Sequence, residues 1–478
     1  MKTLFCPKSV EKNPVQRAVT SARIPQIFVA GVRRHRVTTL RGLIGMALAM
    51  FVMTQSGADD WPGWMGEHQD DVYRDTGVIS EIPATGLPVR WRVPVATGYA
   101  GPAVADGRVF VFDYQTEGGE IVNDPGTRVA LQGRERITAL DVSSGEQLWQ
   151  HDYDCPYRIS YPSGPRCTPT VDGDRLYSLG SEGDFRCLET VTGALVWSRQ
   201  LKTELAAEVP VWGFCSHPLV DGDLVYCMVG GDGQGVVAFN KLDGTVAWKS
   251  LDTKAGYCPL SVINAGGVRQ LIAFHPKAVS SLNPLTGDEY WSIEIAPEFE
   301  MSIAKPVRSG NRLYASAIYN EALMIELSDD APSAKELWRG EPKNAVHSGN
   351  STPIFTDGVI YGTDCVQGSL IAVDADNGDR LWQTFRPTQP DEKRFIRHGT
   401  AFLTRLGDSN RYLTMSETGD LIVAQLDRQG YTEHGRFHVL DPTAECFGRK
   451  VVWSHPAYAN KTAYIRNDKE IVAVSIEK

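Results

Sequence analysis

The sequence predicts an all-β protein, an eight-bladed β-propeller of four-stranded antiparallel blades whose last blade is closed by an N-terminal strand. Three observations carry this. A stretch ending in Trp returns at fixed spacing, a Pro-led strand signal returns between those Trp residues, and the last unit runs out one strand short.

The first observation is a template: a small residue, a Gly turn, then Trp ten positions after the small residue. "ALDVSSGEQLW" (139–149), "CLETVTGALVW" (187–197), "AFNKLDGTVAW" (238–248), "SLNPLTGDEYW" (281–291) and "AVDADNGDRLW" (372–382) keep both spacings, while "MIELSDDAPSAKELW" (324–338) carries an insertion in its turn. Gly supplies the φ > 0 position of a tight turn. Trp buries a large flat area, and the small residue leaves room for it. Trp91, Trp149, Trp197, Trp248, Trp291, Trp338 and Trp382 are therefore read as wedges that dock one blade on the next.

The second observation is a segment of the form Pro-x-x-x-x-Gly-x-x-aromatic, clearest in "TPTVDGDRLYSL" from Thr168 and "HPLVDGDLVYCM" from His217. Looser copies start at Gly101, Cys258, Lys305, Thr352, Thr400 and His455, giving eight in all, 41 to 67 residues apart. Each unit reads as four short strands joined by Gly turns, and no window outside the first 58 residues has a convincing helical period.

The third observation concerns closure. The eighth unit starts at His455 and reaches Lys478 with no Gly turn and no Trp, whereas "PVRWRVPV" (88–95) holds the unassigned Trp91. That stretch is assigned as the missing outer strand. The seventh unit, "VAQLDRQGYTEHGRF", has no Trp, with Phe437 nearest.

Composition places this ring outside the cytoplasm. Residues 1–58 hold nine Lys/Arg against one acidic residue. Arg33, Arg34, Arg36 and Arg41 precede the apolar run "LIGMALAMFVM" (43–53), and "SGA" (56–58) follows it. This is the pattern of a secretory signal peptide, with a core too short for a membrane span. Residues 59–87, with Trp61 and Trp64, are expected to pack across the propeller as an extension, and 88–478 form the propeller. The protein is expected to be periplasmic or secreted, monomeric, and without a stable membrane span after leader cleavage. The whole chain carries a net charge of −10, and without its leader −18, which excludes a polyanion-binding surface and nucleic acid as a partner. Eight Cys remain outside the leader. Cys155 and Cys167, which bracket the Pro-rich "CPYRISYPSGPRC", are the candidate disulfide.

The repeats resemble the pyrroloquinoline-quinone-type (PQQ-like) repeat, with its A-x-D-x-x-T-G-x-x-x-W pattern, from about Pro88 to Lys478. The resemblance implies an eight-bladed propeller, in agreement with the count above. It also implies one of two functional branches. One is quinone-dependent alcohol or sugar dehydrogenases, with the quinone and a Ca²⁺ on the propeller axis. The other is cofactor-free exported propellers, such as the outer-membrane assembly lipoprotein that works as a docking scaffold. The dehydrogenase branch is marked by two adjacent Cys over the quinone. This chain has no Cys-Cys pair and no C-x-x-C-H, and Glu300 lacks an acidic partner for a Ca²⁺. The expectation is a binding or scaffold module without catalysis, with no metal and no cofactor. The alternative is a pyrroloquinoline-quinone-dependent oxidoreductase with its cofactor and Ca²⁺ in the axial funnel.

The funnel is where a site is expected, because the Pro-led strand starts converge there. Arg166, His217, Tyr257, Lys305, His347, Arg397, His398 and His455 fall on that ring, with Cys215 and Cys258 beside them. Such residues suit an anionic or carbonyl-bearing ligand, with His able to act as acid or base, though strand ends at any channel mouth are polar. A protein partner or small ligand is expected in the funnel or on the propeller face. "GGDGQG" (230–235) and "DADNGD" (374–379) are read as hairpin turns.

Overall fold

The Gly turns join short alternating strands into eight antiparallel sheets, one per unit, in a computed structural model that describes residues 60–319, 321–390 and 396–478. The expected leader lies outside the described residues. Blade 2 is representative, with strands Thr170–Asp172, Arg175–Leu179, Asp184–Glu189 and Leu195–Gln200 in that order. The first strand of each blade faces the axis: Ala103–Ala105 of blade 1 packs beside Thr170–Asp172 of blade 2 and Ala457–Ala459 of blade 8. The fourth strands lie outermost, as in Leu195–Gln200, where Trp197 alone is buried. Helix is limited to the four residues Leu201–Glu204 and one 3₁₀ turn at Glu298–Glu300 among the described residues.

The ring closes through Val89–Pro94, which pairs antiparallel with Glu470–Ser475 as the outer strand of blade 8. Trp91 pairs there with Ala473, and its indole N–H donates to the Val142 carbonyl of blade 1 at 3.1 Å.

This bond repeats around the ring. Trp149, Trp197, Trp248, Trp338 and Trp382 donate to the carbonyls of Thr190, Lys241, Pro284, Ala375 and Asp427, each in the turn of the following blade, at 2.7–3.0 Å. The small residue of the template lies directly across the strand pair, as in Ala139↔Trp149 and Ala238↔Trp248. The turn glycine has a second reason to be glycine. A Cβ on Gly193 would sit 2.5 Å from the Trp149 ring, and one on Gly244 2.7 Å from Trp197. Thus Trp91, Trp149, Trp197, Trp248 and Trp338 are each seated on the bare glycine turn of the next blade.

Two blades depart from this scheme. Trp291 donates to Gln270 inside its own blade, at 2.9 Å. The turn it would have met carries the insertion, which instead lays the Ala331 carbonyl over Gly266. In blade 7, four residues after the turn glycine Gly430 comes His434. There the extension replaces the next blade's turn: Ile82 N–H donates to the His434 carbonyl at 2.9 Å, and Gly86 lies against the Phe437 ring.

Residues 60–73 enter the axial channel. Trp61 exchanges two backbone hydrogen bonds with Val104 of blade 1, at 2.8 Å each. Val72–Tyr73 then pairs parallel with Arg405–Leu406 of blade 7. The chain between them turns at Met65 and Gln69, both in the left-handed region. Trp61 and Tyr73 are buried in the hydrophobic cluster that spans blades 7, 8 and 1, so this segment is core rather than appendage.

The cysteine expectation is corrected. All eight described cysteines are free thiols. Cys155 lies with Tyr114, Tyr153 and Tyr157 and approaches Asp184, whereas Cys167 packs in the blade 2–3 cluster against the Phe214 and Ser216 carbonyls. The Pro-rich loop between them is long enough for the two thiols to join different clusters. No helix among the described residues is long and apolar enough to cross a membrane.

Candidate functional site

The Pro-led strand starts and the loops before them enclose a cavity of about 570 Å³ at one end of the axis. That is within the ~300–1,000 Å³ usual for ligand pockets. Six of the eight expected residues line it: Arg166, His217, Tyr257, Arg397, His398 and His455. The other two lie behind its wall. His347 is fully buried, with its Nε2 on the Glu341 carbonyl at 3.0 Å. Lys305 is directed down the axis, where its ammonium donates to the Gln69 carbonyl. Both lie in the loops that lead into Pro-led strands, ahead of Val307–Ser309 and Ile354–Thr356, and neither is among the residues that line the cavity.

The axial segment forms the floor. Trp64 stacks on His217 with ring centres 4.9 Å apart and planes 11° from parallel, and meets His455 edge-on at 5.9 Å. His217 Nδ1 accepts the Thr168 N–H at 2.8 Å. Burial disfavours its cation and pushes it down to about 3, so the ring stays neutral. Burial also acts against the His455 cation, but the Asp71 carboxylate at 3.5 Å outweighs it and leaves His455 above the ordinary imidazole range. Burial in turn lifts Asp71, with His455 opposing. The floor histidines are thus engaged by the ring and by the inserted segment.

The walls are aromatic. Phe299, Tyr319, His398 and Phe447 form a continuous arc: Phe299–Tyr319 and Tyr319–His398 each meet edge-on at 6.3 Å, and His398 stacks on Phe447 at 5.1 Å and 4°. Burial pushes His398 down to about 4. Trp212 and Tyr257 meet at 5.5 Å, and Tyr161 and Trp453 at 6.4 Å. Phe447 caps a small hairpin, Ala444–Cys446 with Arg449–Val451, and Trp453 is held by the buried Glu417, which also binds Arg449. Tyr161, Phe299, Tyr319, His398 and Phe447 all have φ between 47° and 57°. Non-glycine side chains avoid this conformation, and it clusters where a structure presents a group for use.

The two arginines differ. Arg166 lies over the Tyr99 ring at 5.0 Å and donates to the carbonyls of Ser160, Tyr161 and Gly164, so it braces the wall. Arg397 is exposed at the cavity and makes no hydrogen bond or ion pair with the described residues. No Asp or Glu is among the described residues that line it. Sequence reasoning found the polar ring but missed the aromatic arc. Phe299, His398 and Phe447 sit on loops between one blade's fourth strand and the next blade's first, whose one signal was the extra length between some Trp residues and the next Pro, and Tyr319 sits on the turn between the second and third strands of blade 5.

A sequence profile of the family described as outer membrane protein assembly factor BamB matches residues 133–384 and 328–430. The outer membrane protein assembly factor BamB of Moranella endobia is 26% identical over 276 residues, covering 54% of this chain and 64% of that protein, so the chain spans less than two thirds of this relative. Among solved structures, BamB from Moraxella catarrhalis aligns with a TM-score of 0.54 at 14% identity, over 81% of this chain and 97% of that one. A quinohemoprotein alcohol dehydrogenase from Comamonas testosteroni also reaches 0.54, at 11% identity, over 87% and 80%. At these identities the structures report shared architecture alone, and both functional branches have it.

Proposed function

The chain belongs to the family described as outer membrane protein assembly factor BamB, and from that premise we propose that it is an exported, non-catalytic propeller that binds a partner through its axial funnel. The observation that carries this reading is the engagement of the ionisable groups on the floor. His217 is neutral and clamped between Thr168 and Trp64, and His455 is tied to Asp71. A general base needs a free lone pair within reach of substrate, whereas the surface offered here is aromatic. The relatives' name supports a protein as the partner.

The second reading, a quinone-dependent oxidoreductase, is favoured by the shared architecture and by ring faces on which a planar cofactor could stack. The donor set speaks against its Ca²⁺, which takes six to eight oxygen ligands including carboxylates. The described lining residues include no carboxylate. Reconstitution with the quinone and Ca²⁺, followed by an absorbance scan and a dye-reduction assay, tests the choice. No stoichiometric uptake is expected; tight uptake with dye reduction would overturn the binding reading.

A further inference from the structure

We propose that the funnel captures the C-terminal end of a polypeptide, seating a terminal aromatic or large apolar side chain against the aromatic arc and the chain's carboxylate at Arg397 and Asn350. This deepens the binding reading above and rests on it.

The shape of the cavity supplies the first argument. Trp64 and the segment around it block the axis, so the funnel is blind. A strand cannot thread through it. A chain that fills it to the floor enters by an end.

The polar groups decide which end. Arg397 lines the cavity, exposed and without a partner among the described residues, and Asn350 Nδ2 is buried there with no hydrogen bond among them. Both are donors. A carboxylate is an acceptor that takes several such bonds and carries the opposite charge. An N-terminal ammonium would bring three donors to a wall whose described residues include two arginines and no Asp or Glu. The same lack of carboxylates leaves the hydroxyls of a neutral sugar short of acceptors.

The arc decides the side chain. Phe299 is 66% exposed and Phe447 44%, unusual values for Phe on a soluble surface, and both are held out on left-handed backbone at the cavity. Rings presented in this way gain from burial under another ring or a large apolar group.

The test is fluorescence anisotropy on the full chain, using an N-terminally labelled octapeptide that ends in Phe. The free acid should bind, and the same peptide as its C-terminal amide should bind about tenfold more weakly or worse, the size expected for a lost charge-assisted hydrogen bond. Arg397→Gln should weaken the acid and erase most of the difference between acid and amide. Phe447→Ala should weaken both forms together. Equal binding of acid and amide overturns the proposal. So does displacement by N-acetyl-phenylalanine at the octapeptide's own concentration, which would make the ligand a small organic acid. If neither peptide form binds and the quinone is not taken up, C-terminal capture alone falls. If neither binds while the quinone is taken up and reduces dye, the binding reading falls with it.

Discussion

The two ends of each blade obey different rules. At the turn end, one hydrogen bond is made six times with the same atoms, an indole N–H on the neighbouring turn's carbonyl, and in five of the six the ring also lies against that turn's bare glycine. At the axial end the blade starts differ in what their polar residues do. One start offers His217 to an indole, another sends Lys305 down the axis, and another gives His455 to a carboxylate. Repetition marks what holds the ring together, and its breakdown marks where the ring is adapted to a task. The predictions below test this contrast, beginning where the turn-end rule carries most.

The largest effect should follow deletion of Val89–Pro94. It removes the outer strand of blade 8 and the Trp91 contact with blade 1, leaving the strand edge of Glu470–Ser475 bare. The expected outcome is loss of a single cooperative thermal transition, read by circular dichroism. A normal melt would show that the closing strand is not needed for closure.

Next is the seam itself. Trp149→Ala removes a ring wedged between blades 1 and 2 and should cost about 3–5 kcal/mol in urea unfolding. Gly193→Ala leaves the ring but puts a methyl 2.5 Å from it at φ 70°, and should cost about 3 kcal/mol through overpacking and backbone strain together. Because the two residues touch, the double variant should be markedly less unstable than the sum. Additive losses would mean that the glycine serves its own turn only.

This contrast also explains what could be read from the chain. The seam was legible because its contact partners follow one another at nearly constant separation, so Trp149 and Thr190, or Trp197 and Lys241, reveal themselves by recurrence. The closing strand was legible by default, since Trp91 was left over. The inserted segment was not: Trp64 meets His217, and Asp71 meets His455, across separations that no repeat encodes. Nor was the side-chain direction of Lys305 or His347, which is set by the path of the loops they sit on rather than by residue type. The blade 7 exception had a local signal, His434 four residues after Gly430, but its cause is the extension lying where a turn would be.

At the axial end, pH should act through buried imidazoles. His217, pushed down to about 3 by burial, stays neutral in the folded chain at pH values where an unfolded histidine, with a value of 6.5, takes up a proton. Its folded value is depressed, so its contribution to stability is whole above pH 6.5 and is lost as the pH falls toward about 3. His217→Asn keeps an acceptor for the Thr168 N–H but cannot titrate. Relative to the unaltered chain it should recover about 2.7 kcal/mol between pH 7.5 and 4.5, at about 1.4 kcal/mol per pH unit once below the unfolded value. Urea midpoints at the two pH values measure this. Parallel curves for the two proteins would show that His217 titrates as an exposed histidine does, and the floor would then be wet rather than closed by Trp64.

The smallest effect on stability should come from the arc, and there the contrast is sharpest. Phe447 is 44% exposed at a hairpin tip and stacks on His398 alone. Phe447→Ala should change unfolding free energy by less than about 0.5 kcal/mol, as surface substitutions generally do. Phe447→Gly, which also relieves φ 47°, should be neutral or slightly stabilising. A residue whose removal leaves the fold untouched, on a backbone conformation its type avoids, is kept for something outside the fold. A loss of 2 kcal/mol or more in either variant would make the arc part of the architecture and remove the main reason for placing a ligand there.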